Sequence, residues 1–167
     1  MLLSSPAVRI AIEHVTAPND DVRALVSELE QVLQAEYPPE QRHGLSLDSI
    51  FQPHIQFFVA QGDGGAVGCS GVAMFADLAE LKRMYVRPAA RGQRVAEALL
   101  ERIEAAVRAA GLTRLCLETG DRQVAAMRVY ERAGFTRCAA FGPYAAMPPA
   151  QIAASVFFEK LLRAPGR

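Results

Sequence analysis

The sequence predicts a mixed α/β fold, and three observations support that prediction. Several short segments alternate apolar and polar residues, as half-buried strands do, and longer segments repeat apolar residues at helical spacing. The two kinds of segment are interleaved in the order strand, helix, three strands, helix, strand, helix, and one or two strands. Because a length of 167 residues is typical of one domain, residues 1–167 are expected to form a single domain.

The chain begins with a predicted strand and a long amphipathic helix. The strand is expected at residues 8–13, where V-R-I-A-I-E alternates apolar and polar side chains. Asn19 and Asp20 supply capping oxygens for the helix, and Pro38 and Pro39 prevent its continuation. The apolar positions of the helix are Val22, Leu25, Val26, Leu29, Val32 and Leu33. This stripe predicts a helix with one buried face.

A long loop and a β-hairpin follow the first helix. Residues 37–53 contain prolines, charges and a glycine, and they are predicted to form an ordered loop with one helical turn at residues 47–50. Residues 55–61 and 66–74 are rich in apolar side chains and flank the turn G-D-G-G at residues 62–65. This pattern predicts a hairpin.

The second half of the chain supplies the remaining elements. Gly111 and Gly134 each follow a segment of helical periodicity, where glycine commonly ends a helix. The predicted elements are strand 79–86, helix 93–110, strand 114–119, helix 123–133, strand 136–138 and strand 155–161.

Composition excludes several classes of protein. Apolar residues make up 51% and charged residues 22% of the chain, which excludes a disordered protein. Eighteen Lys and Arg balance eighteen Asp and Glu, so no overall charge favours nucleic acid or a membrane surface, and no segment predicts a membrane span. Cys69, Cys116 and Cys138 lack the spacing of metal ligands. We therefore predict no metal site and a reducing compartment, the cytoplasm.

The segment V-R-P-A-A-R-G-Q-R-V-A, residues 86–96, lies between a predicted strand and the most strongly predicted helix. A helix start presents unpaired N–H groups and the positive end of the helix dipole. Gly92 permits close backbone approach, while Arg87, Arg91 and Arg94 add positive charge. This combination suits a pyrophosphate group. On these residues alone, a glycine turn with a solvated arginine rim is an equal alternative.

Two motifs in this region resemble those of the GNAT superfamily of acetyl-CoA-dependent N-acyltransferases. R-G-Q-R-V-A at residues 91–96 resembles the R/Q-x-x-G-x-G/A signature and follows the family-like strand L-K-R-M-Y-V-R-P. L-E-T at residues 117–119 and A-x-x-x-Y-x-x-x-G-F at residues 126–135 resemble the strand and helix that close the family's cofactor site. The resemblance implies a mostly antiparallel sheet of about six or seven strands, about four flanking helices, and splayed central strands that form the acyl-CoA cleft.

The resemblance also implies the two substrates and the residues that bind the donor. The donor is acetyl-CoA, and the acceptor is a primary amine, expected to belong to a small molecule, that attacks the thioester directly through a tetrahedral intermediate. Members of the family often form dimers, so a homodimer is a further expectation. The implied contacts to acetyl-CoA are Met84, Tyr85, Val86, Arg91, Gly92, Gln93, Arg94, Val95, Ala96, Gln123, Ala126 and Tyr130.

Proton transfer is required because a primary amine with a pKa of about 10.4 is protonated at neutral pH. The resemblance implies Glu80 as the base, and the alternative is that Glu80 pairs with Lys82 on the same strand face. Tyr130 stands at the position of the family's acid or thiol contact, and the alternative is that it belongs only to an apolar stripe. His43 and Tyr144 are the candidates for the acceptor side.

The chain departs from the family pattern at two positions. Arg94 stands where glycine is usual, and Gln123 stands where many members carry asparagine. These departures motivate a second hypothesis, a non-catalytic acyl-CoA-binding regulatory module with the same fold. A third hypothesis, a nucleic-acid-associated module, conflicts with the zero net charge.

Overall fold

The computed structural model describes residues 9–163, and this range contains seven strands and four α-helices. The strands are β1 (Ala11–Val15), β2 (Ile55–Gly62), β3 (Gly65–Met74), β4 (Ala79–Val86), β5 (Arg114–Gly120), β6 (Thr136–Arg137) and β7 (Ser155–Leu161). The helices are α1 (Asp20–Glu36), α2 (Val95–Ala109), α3 (Val124–Arg132) and α4 (Pro149–Ile152). The predicted fold class is confirmed.

All seven strands belong to one sheet, in the order β1-β2-β3-β4-β5-β7-β6. Neighbouring strands are antiparallel except for β4 and β5, which run parallel. The β4–β5 ladder begins with Ala79 opposite Leu115 and ends with Leu81 opposite Leu117. Beyond this short ladder the two strands separate, which leaves a gap in the middle of the sheet at their carboxyl ends.

Helices cover both faces of the sheet. On one face α2 and α3 pack against an apolar cluster that includes Phe58, Leu99 and Leu115. On the other face α1 packs against a second cluster that includes Leu25 and Phe57. The consecutive residues Phe57 and Phe58 lie in opposite clusters because successive side chains of a strand point to opposite faces.

Several element boundaries differ from the prediction. Strand β1 begins at Ala11 and runs to Val15, so the predicted strand 8–13 was placed too early, and Val8 lies outside the described residues. Helix α2 begins at Val95 rather than at residue 93, because Arg94 has a left-handed backbone (φ 63°, ψ 29°) that a right-handed helix excludes. The other predicted strands, and helix α3, agree with the structure to within one residue at each end.

Some short helices escaped prediction. The loop 37–53 contains two 3-10 helices, Pro39–Gln41 and Asp48–Phe51, the second in place of the helical turn predicted at residues 47–50. Helix α4 and the 3-10 helix Gly142–Ala146 were not predicted. Each is too short to show an apolar period in the sequence. None of the helices in residues 9–163 has the length and apolar character that a bilayer crossing requires.

Candidate functional site

The gap between β4 and β5 opens into a cleft of about 120 Å³. Lys82 and Glu118 are the first residues beyond the last pair of the ladder, and both line the cleft. Its other walls come from the end of α1, from residues 41–44 of the long loop, and from α3. The cleft therefore collects side chains from segments that are far apart in the sequence.

A β-bulge interrupts β4 on one side of the gap. Cys69 lies opposite Tyr85 while Gly71 lies opposite Lys82, so the register against β3 shifts within this stretch of β4. Arg83, in the bulge, has a φ of 55°, which is uncommon for a residue with a side chain. The bulge redirects the second half of β4 away from β5.

The side chain of Arg83 anchors the loop 37–53 to the sheet. Its guanidinium donates to the Leu45 carbonyl, with an Nε–O distance of 2.8 Å, and forms an ion pair of 3.0 Å with Glu30 of α1. The Arg83 side chain is only 6% exposed. A Cβ at position 44 would lie 2.5 Å from the central carbon of this guanidinium, so a side chain there would displace Arg83 from its partners.

Glu80 belongs to a buried three-residue cluster at the base of the cleft. The Lys82 Nζ lies 2.9 Å from Glu80 Oε2, and the Tyr144 hydroxyl donates to the same oxygen at 2.7 Å. The Lys82 Nζ also donates to the Tyr144 hydroxyl oxygen at 2.9 Å. Burial and the neighbouring Glu80 raise the pKa of Tyr144, so this phenol stays protonated and keeps donating. The structure thus contains the Glu80–Lys82 pair that the sequence left as an alternative.

Glu118 is a second carboxylate in the cleft, and sequence analysis assigned no role to it. The Ser155 hydroxyl donates to Glu118 Oε2 at 2.6 Å. Burial raises the pKa of Glu118 above its ordinary value of 4.5, although the Ser155 hydrogen bond and the nearby His43 and Lys82 lower it, and Glu80 adds to the rise. A carboxylate with a raised pKa is better matched to taking a proton from an ammonium group.

Glu118 was missed because its neighbours come from distant segments. Ser155 is 37 residues away. The only local signal is an acidic residue directly after the buried apolar run Leu115–Leu117.

His43 and Tyr144, the predicted acceptor-side residues, lie together. Their rings meet edge to face with centroids 5.5 Å apart, and both line the cleft. The His43 Nε2 lies 2.8 Å from the carbonyl oxygen of Gln151, and the His43 carbonyl accepts from Lys82 Nζ at 3.4 Å. Tyr144 also packs against Phe157 at 5.3 Å, so it both lines the cleft and fills the core.

Tyr130 approaches the gap from the opposite face of the sheet. It belongs to the apolar cluster under α2 and α3, and its ring packs against Phe135 at 5.8 Å and Phe158 at 6.3 Å. It also lines the cleft. Burial, and then the negative charge of Glu118, raise the pKa of Tyr130. Both readings of Tyr130, as a core residue and as a residue at the site, are compatible with this position.

The arginine-rich loop follows β4 and leads into α2. A 3-10 helix, Pro88–Ala90, is followed by the exposed residues Arg91, Gly92, Gln93 and Arg94. Gly92 has a φ of 81°, and a Cβ there would meet no atom within 4 Å. Glycine is therefore favoured here by the left-handed backbone of the turn and not by lack of space.

Helix α2 starts without a side-chain cap. The first helical hydrogen bond runs from the Ala98 N–H to the Arg94 carbonyl at 3.1 Å. The N–H groups of Val95, Ala96 and Glu97 precede this bond, at the positive end of the helix. They form an arrangement that suits a phosphate group.

Arg87 contributes less charge to this loop than the sequence suggests. It forms an ion pair of 2.8 Å with Glu28 of α1, and it donates to the Ala66 carbonyl at 2.8 Å. The Tyr85 hydroxyl donates to the same carboxylate at 3.1 Å. The Arg87 hydrogen bond lowers the pKa of Glu28, which keeps this carboxylate charged. The cationic side chains left at the loop are Arg91 and Arg94.

The remaining predicted donor-site residues lie around the gap. Met84 and Val86 belong to the separated part of β4, and both are partly buried. Gln123 and Ala126 line the cleft from the start of α3. Gln123 does not cap α3 with its side chain, which instead donates to the Glu36 carboxylate at the end of α1.

The same corner is closed by Tyr37, which sequence analysis did not single out. Its hydroxyl oxygen accepts the Arg122 N–H at 2.8 Å. Its ring lies so close to Gly120 that a side chain at that position would overlap the ring. The contact joins the end of α1 to the β5–α3 connection.

The comparisons with known proteins agree with this architecture. Residues 53–137 match the family model of the acetyltransferase (GNAT) domain. A protein of Azospirillum brasilense named IAA acetyltransferase is 42% identical over 159 residues, which cover 94% of this chain and 99% of that protein.

Two solved structures share the fold. An acetyltransferase from Streptococcus agalactiae has a TM-score of 0.71 and 24% identity, covering 92% of this chain and 98% of that one. The PaiA N-acetyltransferase from Thermoplasma acidophilum, in complex with coenzyme A, has a TM-score of 0.67 and 18% identity, covering 90% of this chain and 99% of that one. Together with the family match and the relative from Azospirillum, this likeness identifies the chain as a member of the GNAT family of acetyltransferases.

Proposed function

We propose that the protein is an N-acetyltransferase that moves the acetyl group of acetyl-CoA to a primary amine of a small acceptor by direct attack. The observation that carries the proposal is the gap between β4 and β5. An uncapped helix start that suits an anion follows the carboxyl end of β4. Two carboxylates, the buried Glu80 and the partly buried Glu118, lie beside the point where β4 and β5 separate. A donor and an acceptor entering from opposite sides would meet there.

The donor-side residues fit acetyl-CoA. The N–H groups of Val95 and Ala96 would hold the pyrophosphate, with Arg91 and Arg94 adding charge at the exposed loop. The separated half of β4 is not paired with β5, so the backbone groups on that edge are free to hydrogen-bond the amides of the pantetheine arm of acetyl-CoA. An N–H near Tyr85 or Val86 would donate to the thioester oxygen as negative charge develops on it.

We assign the proton transfer from the amine to Glu118, directly or through a water molecule. Glu80 was the residue expected from the family pattern, but two donors, Lys82 and Tyr144, share its Oε2 atom. Glu118 faces Ser155 instead, and burial raises its pKa. In this scheme Glu80 is a positioning residue that holds Lys82 and Tyr144 beside the acceptor.

Tyr130 is assigned to the leaving thiolate as a hydrogen-bond donor. A thiol has a reference pKa of about 8.5, well below that of a phenol. Since burial raises the pKa of Tyr130 further, full transfer of its proton to the thiolate is unfavourable. A hydrogen bond from its hydroxyl stabilises the thiolate without that transfer.

Thermal unfolding with acetyl-CoA tests the donor site. At a concentration of about 100 times the dissociation constant, a ligand that binds only the folded chain stabilises it by roughly 2.7 kcal/mol. For a chain of this size that corresponds to a rise in Tm of about 5–10 °C. Desulfo-CoA should reproduce most of the rise and ATP should not. An equal rise in Tm with ATP would show that the site binds phosphate groups without selecting acetyl-CoA. No rise in Tm at millimolar acetyl-CoA would refute the donor site.

Turnover then separates the enzyme from a binding module. Release of CoA is measured with a panel of amines. IAA, which is not a primary amine, is tested beside the panel because a relative that is 42% identical is named an IAA acetyltransferase. Acceptor-dependent release supports the proposed enzyme. Binding of acetyl-CoA without release above background across the whole panel would favour the regulatory module.

Arg94 offers a matched pair of variants, Arg94→Gly and Arg94→Ala. Both remove the guanidinium, but only glycine relieves the left-handed backbone at φ 63°. We expect the glycine variant to be more stable than the alanine variant by about 1 kcal/mol, or a Tm difference of about 2–4 °C.

The acetyl-CoA affinity of the two Arg94 variants measures how much the Arg94 charge contributes to donor binding, separately from the backbone effect. Calorimetric titration should show a similar loss in both, up to about tenfold and smaller at high salt. Equal Tm values would contradict a strained backbone at Arg94, and unchanged affinity would remove its guanidinium from the donor site.

A further inference from the structure

Arg42 is a partly buried cation in the cleft, and its Nε has no acceptor among the residues that the structure describes. It follows the 3-10 helix Pro39–Gln41 and lines the cleft beside His43 and Gly44. Its Nε is buried and donates to no acceptor within residues 9–163. A buried donor of a charged group without an acceptor is destabilising, and native proteins rarely contain one. The Nε of Arg42 therefore indicates an acceptor that residues 9–163 do not supply, as a bound molecule would.

The other cations around the cleft are already engaged. Lys82 pairs with Glu80, and Arg83 pairs with Glu30 and the Leu45 carbonyl. No ion pair or side-chain hydrogen bond of Arg42 is found in the part of the chain that the structure describes. Among these three cations, Arg42 is the one with unused capacity for an anion.

The residues that follow Arg42 are held in place by three contacts. The His43 ring lies against the Gln151 carbonyl at 2.8 Å, and the His43 carbonyl accepts from Lys82 at 3.4 Å. Arg83 binds the carbonyl of Leu45 at 2.8 Å. A segment fixed in this way presents Arg42 with little further loss of backbone conformational entropy on binding.

The charge pattern of the cleft matches a ligand with two opposite charges. Glu80 is paired with Lys82, so Glu118 is the carboxylate that suits the ammonium form of the incoming amine and disfavours a simple anion. Arg42 suits an anionic group on the same molecule. A guanidinium binds a carboxylate through two parallel hydrogen bonds, one of which its Nε can donate.

We infer that Arg42 binds the carboxylate of the acceptor, so that the acceptor class is an amine that also carries a carboxylate, an amino acid in the simplest case. This inference rests on the proposed N-acetyltransferase function. It deepens that function by assigning one residue to the choice of acceptor, apart from the residues that bind acetyl-CoA and move the proton.

The experiment compares three sets of acceptors, with CoA release as the readout. The probes are the twenty L-amino acids, their methyl esters, and the amines that result from removing their carboxylates. Amino acids that are accepted should exceed both the ester and the decarboxylated amine in kcat/KM by about 10- to 100-fold, the range of a hydrogen-bonded charge pair. Equal rates for the three forms, or acceptance of the simple amines alone, would overturn the inference.

Variants of Arg42 show whether this residue causes the preference for acceptors that carry a carboxylate. In Arg42→Met, kcat/KM should fall for the amino acid and stay unchanged for the decarboxylated amine. The ratio of kcat/KM for the amino acid to that for the decarboxylated amine should then approach one. Arg42→Lys should restore part of the ratio, because an ammonium keeps the charge and loses the paired geometry. A fall of the same size for both acceptor forms would indicate a structural role and would contradict the inference.

A binding measurement separates this inference from the proposed function. In the presence of CoA, the wild type should bind N-acetyl amino acids more tightly than their carboxamides, and Arg42→Met should lose the preference. If acetyl-CoA binds and amines are acetylated without such a preference, only the inference fails. If no amine is acetylated and no N-acetyl amino acid binds, both fail together.

Discussion

Glu118→Gln is expected to lower kcat by about 10²- to 10⁴-fold, the usual effect of removing a general base. The wild-type kcat/KM should rise with pH as the Glu118 carboxyl loses its proton, over a range shifted upward because burial raises this pKa. The glutamine variant should lack that acidic limb. Steady-state kinetics from about pH 5 to 9 with one accepted amine measures both effects.

Two matched variants locate the proton acceptor. Glu159→Gln changes another carboxylate of the same sheet. Glu159 lies away from the cleft and pairs with Arg114 at 2.8 Å, so this variant should keep the acidic limb of the pH profile. Glu80→Gln should lower activity because Lys82 and Tyr144 lose their shared partner, but it should keep the limb as well. If Glu80→Gln removes the limb and Glu118→Gln does not, the proton is transferred to Glu80.

The stability of Glu118→Gln excludes misfolding as the cause of lost activity. Because the folded-state pKa of Glu118 is raised, the folded chain binds this proton more tightly than the unfolded chain does. The contribution to stability is full below the unfolded value of about 4.5 and is lost as pH rises through the folded value. The wild type should therefore be less stable than the variant at neutral pH, and the difference in Tm should shrink toward pH 4.

Gly68→Ala is expected to damage both folding and donor binding. A Cβ at this position of β3 would lie 2.7 Å from the Tyr85 carbonyl oxygen and 3.1 Å from Val95 Cγ1. Neither neighbour can move freely, because one is strand backbone and the other is the first residue of α2. Overpacking of this kind typically destabilises by roughly 1–3 kcal/mol, a fall in Tm of about 3–10 °C.

The donor site should weaken in the same Gly68→Ala variant. The displaced atoms belong to the end of β4 and the start of α2, which border the proposed pyrophosphate site. Gly64→Ala is the matched control, because a Cβ there meets nothing within 4 Å. Acetyl-CoA titration should show weaker binding for Gly68→Ala and unchanged binding for Gly64→Ala. Wild-type affinity in Gly68→Ala would show that this contact does not set the position of the loop.

The sequence predicts the helices and strands well because their signals are local. The apolar stripe of α1, with Asn19 accepting the Val22 N–H at 2.9 Å, is a capped helix as expected. The period of two along β4 correctly placed Glu80 and Lys82 on one face, where they pair. These features depend on residues that are close neighbours in the chain.

The site is less predictable because its geometry depends on distant contacts. The bulge at Arg83 is stabilised by Glu30 and the Leu45 carbonyl, neither of which the β4 sequence reveals. Arg94 adopts a backbone conformation that favours glycine, and its residue type gives no sign of this, so the helix predicted from residue 93 begins only at Val95. The charge of Arg87 is neutralised by Glu28, a pairing that only the folded chain brings about.

The short parallel ladder between β4 and β5 divides the sheet into two half-sheets that are joined at one end. Each half has an unpaired inner edge, and such an edge accepts an extended chain that carries amide groups. The pantetheine arm of acetyl-CoA is such a chain, so a donor bound as we propose would occupy the place of a missing strand and link the two halves. The bound substrate would then hold the two half-sheets together as one cooperative unit. We expect the free protein to lose one half-sheet by partial unfolding, whereas the loaded protein unfolds as a whole.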